Sequence, residues 1–276
     1  LYDTVKDEPT SFGGYRPQNY DRRFRGNVSL LQALTFSMNV PTVKLAHMEG
    51  IYRVIQTAQK AGVTSPIAAD LTSALGSSEM NLLELTGAYA TFANDGVLVR
   101  PTPILKIVDH TGTVIYDHAR AQERAFSTVV VRQLNQALQN VVTAGTGTRA
   151  RIGRPAAGKT GTTDQAYDTW FVGYIPQLTT GVWAGNDNPS ATRGGGGTTC
   201  APIWQKFMAY ATRRMPVQDF PGAEIPASKA TADPSATPET TASSENTVVE
   251  ITPSPSQAEQ NFESGNEPVA EVTPFV

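Results

Sequence analysis

The sequence lacks several features that would quickly narrow its class. Cys200 is the only cysteine among 276 residues, so no internal disulfide can form. No apolar run approaches the roughly eighteen residues that a membrane span needs. The opening residues do not form the basic and then apolar pattern of a leader peptide. The three histidines, His47, His110 and His118, are scattered and indicate no metal site. These shortages argue against a disulfide scaffold, a transmembrane helix and a histidine-based metal centre.

Charge and composition divide the chain into two parts near residue 215. Residues 1–215 hold 21 of the 22 lysines and arginines and 15 of the 25 acidic residues, a net charge of +6. Residues 216–276 hold only Lys229 against ten acidic residues, a net charge of −9. This second part is rich in Pro, Ser, Thr, Ala and Glu and has too few large apolar residues to offset the entropy cost of ordering. We therefore predict a folded domain over 1–215 and a disordered acidic tail over 216–276.

Hydrophobic periodicity predicts helices first, then strands, then a closing helix. Helices are expected after the N-cap residues Asn27, Asn81 and Ser127, and Asn81 with Glu84 is typical of a capping box. Further helices are predicted over 41–50, 51–61 and 203–214, a hairpin over 104–117, and strands over 159–163, 169–175 and 180–184. The short connections between these strands favour an antiparallel sheet. The predicted fold class is therefore α+β, with helices packed on an antiparallel sheet.

Two glycine-rich motifs match nucleotide-binding patterns but lack the necessary context. Residues 153–160 match the phosphate loop G-x-x-x-x-G-K-[ST], which needs a strand before it and a helix that starts at its lysine. Here a predicted helix and a Gly/Thr-rich loop precede Lys159, and a strand-like run follows it. Residues 145–150 match a dinucleotide fingerprint, but they follow a helix rather than a strand. We interpret 145–150 as a flexible loop, and nucleotide binding is the weakest of the alternatives.

A third motif offers a different interpretation of the same lysine. Residues 159–162, Lys-Thr-Gly-Thr, match the K-T-G element of serine enzymes that recognise penicillin. The companion S-x-N element occurs at 37–39, 244–246 and 264–266. The last two copies follow K-T-G and lie in the predicted tail. The first lies between two predicted helices, where such residues are more often helix caps. Order and context nevertheless favour Ser37 and Asn39 as site residues.

Longer stretches resemble the transpeptidase domain of class A penicillin-binding proteins, over roughly residues 10–215. The stretches are 15–21 (YRPQNYD), 37–46 (SMNVPTVKLA), 74–79 (ALGSSE), 87–94 (GAYATFAN), 145–148 (GTGT), 158–163 (GKTGTT), 168–174 (DTWFVGY) and 201–204 (APIW). The resemblance implies a fold similar to that of penicillin-binding-protein transpeptidases and serine β-lactamases.

The resemblance also shows which motif is missing. The family's nucleophile lies in an S-x-x-K motif upstream of S-x-N, yet no serine in this chain has a lysine three positions later. The first residue is Leu1 rather than methionine. We therefore expect a truncated or processed chain, incomplete at the N-terminus, with the nucleophile, a glycosyltransferase domain and a membrane anchor further upstream.

The resemblance implies roles for three catalytic residues. Ser37 would bridge Lys159 and the lysine of the missing motif and pass a proton to the leaving amine. Asn39 would hold the substrate's amide groups. Lys159 would supply positive charge that attracts the substrate carboxylate.

Three neighbouring residues would bind substrate. Thr160 and Thr162 lie on one side of a predicted strand, so both hydroxyls could bind the same carboxylate. Gly161 would let the substrate backbone lie close to the strand.

The implied reaction is serine-type D,D-transpeptidation, which cross-links peptidoglycan on the extracytoplasmic, periplasmic side of the bacterial membrane. The expected partners are peptidoglycan stem peptides, with β-lactams as inhibitors, and we expect no cofactor, metal or nucleic acid. A D,D-carboxypeptidase and a non-catalytic penicillin-recognising sensor or scaffold remain alternatives. Because the nucleophile is missing, we expect the chain alone to be inactive.

Overall fold

The computed structural model describes residues 1–118, 123–188, 190–222 and 269–275. Its helices are Leu30–Thr35 (α1), Asn39–Glu49 (α2), Ile51–Lys60 (α3), Leu82–Ala93 (α4), Thr128–Ala144 (α5) and Cys200–Ala211 (α6). Its strands are Thr4–Asp7 (β1), Gly26–Ser29 (β2), Lys106–Val108 (β3), Val114–Asp117 (β4), Ala157–Thr162 (β5), Asp168–Ile175 (β6), Leu178–Gly185 (β7) and Val269–Phe275 (β8). Short 3₁₀ turns cover Leu71–Leu75, Thr148–Ala150 and Asp164–Ala166. The predicted α+β class is confirmed.

A four-stranded antiparallel sheet, in the order β5-β6-β7-β8, lies at the centre. The two longest strands, β6 and β7, are joined by a two-residue turn that sets Ile175 opposite Leu178. Strand β5 pairs only with β6 among the described strands, and Lys159 lies opposite Val172. The outer backbone edge of β5 has no partner among the described strands, and an edge of this kind can accept an extended peptide as an added strand.

Helices cover both faces of this sheet. Successive strand residues point to opposite sides, and both sides carry apolar side chains that pack against helices. On one face Phe171 and Ile175 pack in a cluster with Trp204 of α6, and all three are at most 1% exposed. On the other face Tyr174 packs with Leu138 of α5. Burying each such side chain contributes roughly 1.5–3 kcal/mol, so these two layers fix the position of β5 relative to the helices.

The chain begins with a small antiparallel pair, β1 and β2, that the sequence did not predict. Helix α1 follows directly, and its N-cap is Ser29. The predicted cap, Asn27, is wrong, since Asn27 lies in β2. Ser29 and Gln32 form a full capping box, in which the Ser29 hydroxyl accepts from the Gln32 N–H and the Gln32 side chain accepts from the Ser29 N–H. This capping box satisfies two backbone N–H donors, whereas an Asn27 cap would have satisfied only one.

The cap of α4 agrees with the prediction only in part. The side chain of Asn81 accepts from the backbone N–H of Glu84 at 2.8 Å, as expected. The Glu84 carboxylate does not complete the capping box. It accepts from the backbone N–H and hydroxyl groups of Thr64 and Ser65, which offer it four donors instead of one.

The other helix and hairpin predictions agree with the structure to within a few residues. The predicted N-cap Ser127 of α5 is confirmed. Helix α2 begins at Asn39, two residues before the predicted start at 41.

The boundary predicted near residue 215 differs from the structure at two places. Phe220 is 9% exposed and its ring lies 5.6 Å from that of Tyr174, so the core extends past 215. Residues Val269–Phe275 of the predicted tail form β8 and pair with β7. This pairing satisfies backbone groups that an open edge of β7 would leave without partners. Residues 223–268 of the predicted tail lie outside the described residues.

Candidate active site

Ser37 lies in the turn between α1 and α2, in a backbone conformation that is rare for serine. Its φ angle is +52°, in the left-handed region. Two hydrogen bonds close the turn, from Ser37 N–H to the Leu34 carbonyl at 3.2 Å and from Met38 N–H to the Ala33 carbonyl at 2.9 Å. This is the Schellman arrangement of a helix end, in which the left-handed residue is usually glycine. Serine is strained there, and strain of this kind concentrates at functional sites.

The strained turn directs the Ser37 hydroxyl toward Lys159. The ammonium nitrogen Nζ of Lys159 donates to Ser37 Oγ at 2.7 Å and to the Thr160 carbonyl at 2.9 Å. These two side chains are 122 positions apart in sequence, so only the packing of α1 on α5 and of α5 on β5 brings them together.

Lys159 is partly buried, and this changes its acidity. Burial lowers the pKa of Lys159 from 10.5 to about 8, because a desolvated ammonium loses hydration energy. At neutral pH most of the population is still charged, and a substantial neutral fraction exists near pH 8. A lysine of this kind can attract an anion and can also exchange a proton with a neighbouring hydroxyl.

Asn39 is the first residue of α2 and lies two positions after Ser37. Its side-chain amide donates to the carbonyl of Gln18 at 2.9 Å. The next residue of α2, Val40, donates its backbone N–H to the side-chain oxygen of Asn19 at 3.2 Å. The start of the helix that carries Asn39 is therefore attached to residues 18 and 19.

Asn19 is in turn held by a buried carboxylate. Asp7 is 1% exposed and accepts from the Asn19 amide at 2.8 and 2.9 Å and from the Arg25 backbone N–H at 2.9 Å. Charged acceptors form stronger hydrogen bonds than neutral ones, and a buried carboxylate needs such partners. The result is a connected path from β1 through Asn19 to the start of α2.

The Lys-Thr-Gly-Thr residues lie on a strand, as predicted, and this strand, β5, is at the edge of the sheet among the described strands. The hydroxyl of Thr160 lies 2.7 Å from that of Thr146, and the hydroxyl of Thr162 accepts from the Gly196 N–H at 3.0 Å. A Cβ atom added at Gly161 would lie 3.1 Å from the Cβ of Trp170, so glycine keeps this part of the strand close to its neighbour.

The phosphate-loop alternative fails on the same geometry. Lys159 and Thr160 lie inside β5, opposite Val172 and Phe171, so no helix begins at this lysine. Among the described residues, no group of three His, Cys, Asp or Glu side chains lies close enough together to hold a metal ion.

Sequence reasoning missed three contributors to this region. Asn19 and Thr146 contact the elements that carry the site residues, and Asp7 holds Asn19. Asn19 lies inside the 15–21 stretch and Thr146 inside the 145–148 stretch that resemble the family, so a signal existed for two of them. Nothing in the sequence marked Asp7, because it differs from a surface aspartate only in being buried, and burial is seen only in the structure.

The arrangement combines a strained serine hydroxyl, a lysine of lowered pKa and two threonine hydroxyls beside an open strand edge. Such a set can bind the carboxylate of an extended peptide and move a proton near it.

Comparison with known families identifies the family of this chain. Residues 1–209 match the penicillin binding protein transpeptidase domain. The chain therefore belongs to the penicillin-binding-protein transpeptidase family, and its relatives confirm the predicted resemblance to class A members.

Individual relatives cover most of this chain. Penicillin-binding protein 1A of Aquifex aeolicus is 37% identical over 216 residues, which is 77% of this chain and 30% of that protein. Penicillin-binding protein 1F of Bacillus subtilis is 37% identical over 194 residues, which is 67% of this chain and 27% of that protein. The chain thus spans less than a third of the length of these relatives.

Solved structures share the fold. A penicillin-binding protein from Mycobacterium tuberculosis is 25% identical, covers 80% of this chain, matches over 66% of its own chain and has a TM-score of 0.73. Penicillin-binding protein 1A of Haemophilus influenzae matches at a TM-score of 0.72 and 24% identity, over 81% of this chain and 41% of its own. The chain has the penicillin-binding-protein transpeptidase fold, similar to that of serine β-lactamases, as predicted.

Proposed function

We propose that this chain forms part of a peptidoglycan D,D-transpeptidase, and that Ser37, Asn39 and Lys159 are catalytic residues acting on stem peptides that end in D-alanyl-D-alanine. The observation that carries the proposal is the 2.7 Å contact between Lys159 Nζ and Ser37 Oγ. The residues of the two motifs come together although nothing local to either motif requires it.

In the proposed reaction, a serine hydroxyl attacks the carbonyl carbon between the two D-alanines and gives its proton to the lysine of its own motif. The tetrahedral intermediate collapses, the C–N bond breaks, and the leaving D-alanine amine takes up a proton that passes through Ser37. An amine of a second stem peptide then attacks the acyl ester, the C–O bond to the serine breaks as the amide forms, and a proton from the amine returns to the serine oxygen. Two acyl transfers replace one difficult exchange.

The nucleophile is proposed to lie upstream of this sequence, in the S-x-x-K motif that the chain does not contain. The residues present would bind, orient and transfer protons. Asn39 would hold the amide groups of the bound peptide from the start of α2.

The strand residues would bind the substrate carboxylate. Lys159 supplies a positive charge beside Ser37, and Thr160 and Thr162 supply hydroxyl donors further along β5. Gly161 would let the peptide backbone approach the strand edge. A penicillin carboxylate would occupy the same place. A solved M. tuberculosis structure of the same fold, 23% identical, is described in complex with penicillin V.

The location follows from the same proposal. The described part of the chain has no helix with the length and apolar composition to span a bilayer. We propose that a bifunctional parent carries a glycosyltransferase domain and a membrane anchor upstream and places this domain on the periplasmic side.

The proposal is tested by labelling with a fluorescent penicillin. This chain and a version extended upstream through the S-x-x-K motif are incubated with the probe, and any adduct is located by mass spectrometry. We expect one covalent label per molecule on the extended protein, on the serine of the added motif, and no label on the shorter chain. A stoichiometric adduct on the shorter chain, at Ser37 for example, would falsify the assignment of the nucleophile.

Matched variants of the extended protein test the site. Lys159→Ala should slow acylation by about a hundredfold, within the usual range for a group that transfers protons in catalysis. Lys60→Ala removes an exposed lysine at the end of α3 and should leave the rate unchanged. Equal rates for the two variants would contradict the role of Lys159.

A peptide assay separates the alternatives. With a stem pentapeptide and an amine acceptor, a transpeptidase forms the cross-linked amide. A carboxypeptidase releases D-alanine with water as acceptor. A sensor is acylated by penicillin but turns over neither substrate.

A further inference from the structure

The segment Gly145-Thr146-Gly147, which follows α5, is wedged between the two motifs of the site. The Thr146 N–H donates to the carbonyl of Thr35 at 3.3 Å, two residues before Ser37. A Cβ atom at Gly145 would overlap the same Thr35 carbonyl, so only glycine permits this approach. On its other side, the Thr146 hydroxyl lies 2.7 Å from the Thr160 hydroxyl. Residues 145–147 therefore contact both the end of α1 and β5 and are packed against the domain.

A second glycine-rich segment, 194–197, supports the other threonine. The Gly196 N–H donates to the Thr162 hydroxyl at 3.0 Å. Gly196 lies so close to the backbone of Gly161 and Trp170 that no Cβ atom fits there. A Cβ atom at Gly197 would lie 2.5 Å from the carbonyl of Thr146, so the two supporting segments also contact each other.

These contacts determine where the threonine protons can go. A hydroxyl has one proton to donate and lone pairs with which to accept. Because the Gly196 N–H already donates to Thr162, the proton of that hydroxyl remains available for a ligand. If Thr146 donates to Thr160, then Thr160 can also donate outward. Hydrogen bonds arranged in such a chain polarise and strengthen one another.

We propose that Thr146 is a positioning residue for carboxylate binding, which acts with the Gly196 N–H so that the hydroxyls of Thr160 and Thr162 both donate to the anion. The inference rests on the proposed function, because that function supplies the carboxylate. It adds to the site a residue that belongs to neither the S-x-N nor the K-T-G motif.

The test uses this chain and two probes, benzylpenicillin and its methyl ester, which differ in the carboxylate charge. Affinities are measured by titration of the backbone amide signals of β5 in NMR spectra. We expect the wild-type chain to bind the acid more tightly than the ester. Thr146→Val keeps the β-branched shape and removes the hydroxyl. It should reduce this preference about three- to tenfold, the effect of one hydrogen bond, with the ester affinity unchanged.

Three further variants make the result specific. Thr146→Ser keeps the hydroxyl and should retain the preference, whereas Thr146→Ala should lose it even if the valine variant folds poorly. Thr143→Val removes a hydroxyl that bonds the Gln139 carbonyl within α5, and it should have no effect. A purely structural role for Thr146 would weaken binding of both probes equally.

The outcomes separate the two proposals. If the wild-type chain prefers the acid and the valine and alanine variants prefer it equally strongly, the role of Thr146 is refuted while the proposed function stands. If the wild-type chain shows no preference for the acid, the carboxylate site of the proposed function is refuted and the role of Thr146 with it.

Discussion

Replacing Ser37 with alanine or with glycine separates the destabilisation caused by its backbone conformation from the contribution of its hydroxyl group. The residue occupies the left-handed position of a Schellman turn, with φ at +52°, and its hydroxyl accepts from Lys159. Ser37→Ala removes the hydroxyl and keeps the strain. Ser37→Gly removes both. The difference in unfolding free energy between the two variants therefore reports the strain, offset by the larger backbone entropy that glycine loses on folding.

The size of that difference can be worked out from the geometry. A side chain in the left-handed region costs roughly 1–2 kcal/mol relative to glycine. Glycine loses roughly 0.5–1 kcal/mol more than alanine in backbone entropy on folding. The glycine variant should thus be about 1 kcal/mol more stable than the alanine variant, measured by urea unfolding with an unchanged dependence on denaturant. In an extended protein that carries the nucleophile, both variants should lose acylation.

An exposed helical position supplies the control. At Gln56 in α3 the order should reverse, with Gln56→Ala more stable than Gln56→Gly by about 1 kcal/mol, because alanine is the better helix former. Our reasoning about the turn is refuted if Ser37→Gly is no more stable than Ser37→Ala while the Gln56 pair behaves as stated.

Three further predictions concern the free energy of unfolding, and a fourth concerns the tail. Burial lowers the pKa of Lys159 to about 8, so between pH 8 and 10 the unfolded chain binds more protons than the folded one. Stability should rise by roughly 1–2 kcal/mol over that window, and Lys159→Met should abolish the rise in urea titrations. Burial raises the pKa of Glu84, but the hydroxyl and backbone donors around it outweigh burial and lower the pKa to about 2. Stability should therefore fall as pH drops from 4.5 to 2, and an unchanged acid transition in Glu84→Gln would contradict this. Asp7→Ala leaves the Asn19 amide without its buried carboxylate partner and should lower the free energy of unfolding by roughly 2–4 kcal/mol. Thermal unfolding should show this as a lower midpoint. A loss below about 0.5 kcal/mol would contradict a stabilising role for the hydrogen bonds between Asp7 and Asn19. Composition predicts that limited proteolysis cuts within 223–268 first, and protection of that range would count against the predicted tail.

Several features of this protein follow from local sequence and were predictable for that reason. The cap residues Asn81 and Ser127 act through hydrogen bonds to residues three positions away, so short stretches of sequence contain the whole interaction. The strand that carries Lys-Thr-Gly-Thr was likewise predictable, because the alternation of side chains along a strand is visible within a few residues. The order of the S-x-N and K-T-G motifs, together with the context of each copy, favoured Ser37 and Asn39 among three candidate pairs, and their catalytic role stays a prediction.

Other features depended on the tertiary structure, because they arise between residues far apart in sequence. The contact of Ser37 with Lys159 joins positions 122 residues apart, and the lowered pKa of Lys159 depends on burial that no local pattern encodes. The left-handed φ of Ser37 could not be predicted from the sequence either. Serine is uncommon in that conformation, and the Schellman turn at the end of α1 imposes it. Thr146 matched a nucleotide-binding pattern in the sequence, yet packing against Thr35 and Thr160 placed it between the two motifs of the candidate site instead. Motifs thus determined which residues were candidates, and long-range packing decided which of them meet and how far burial lowers the pKa of Lys159.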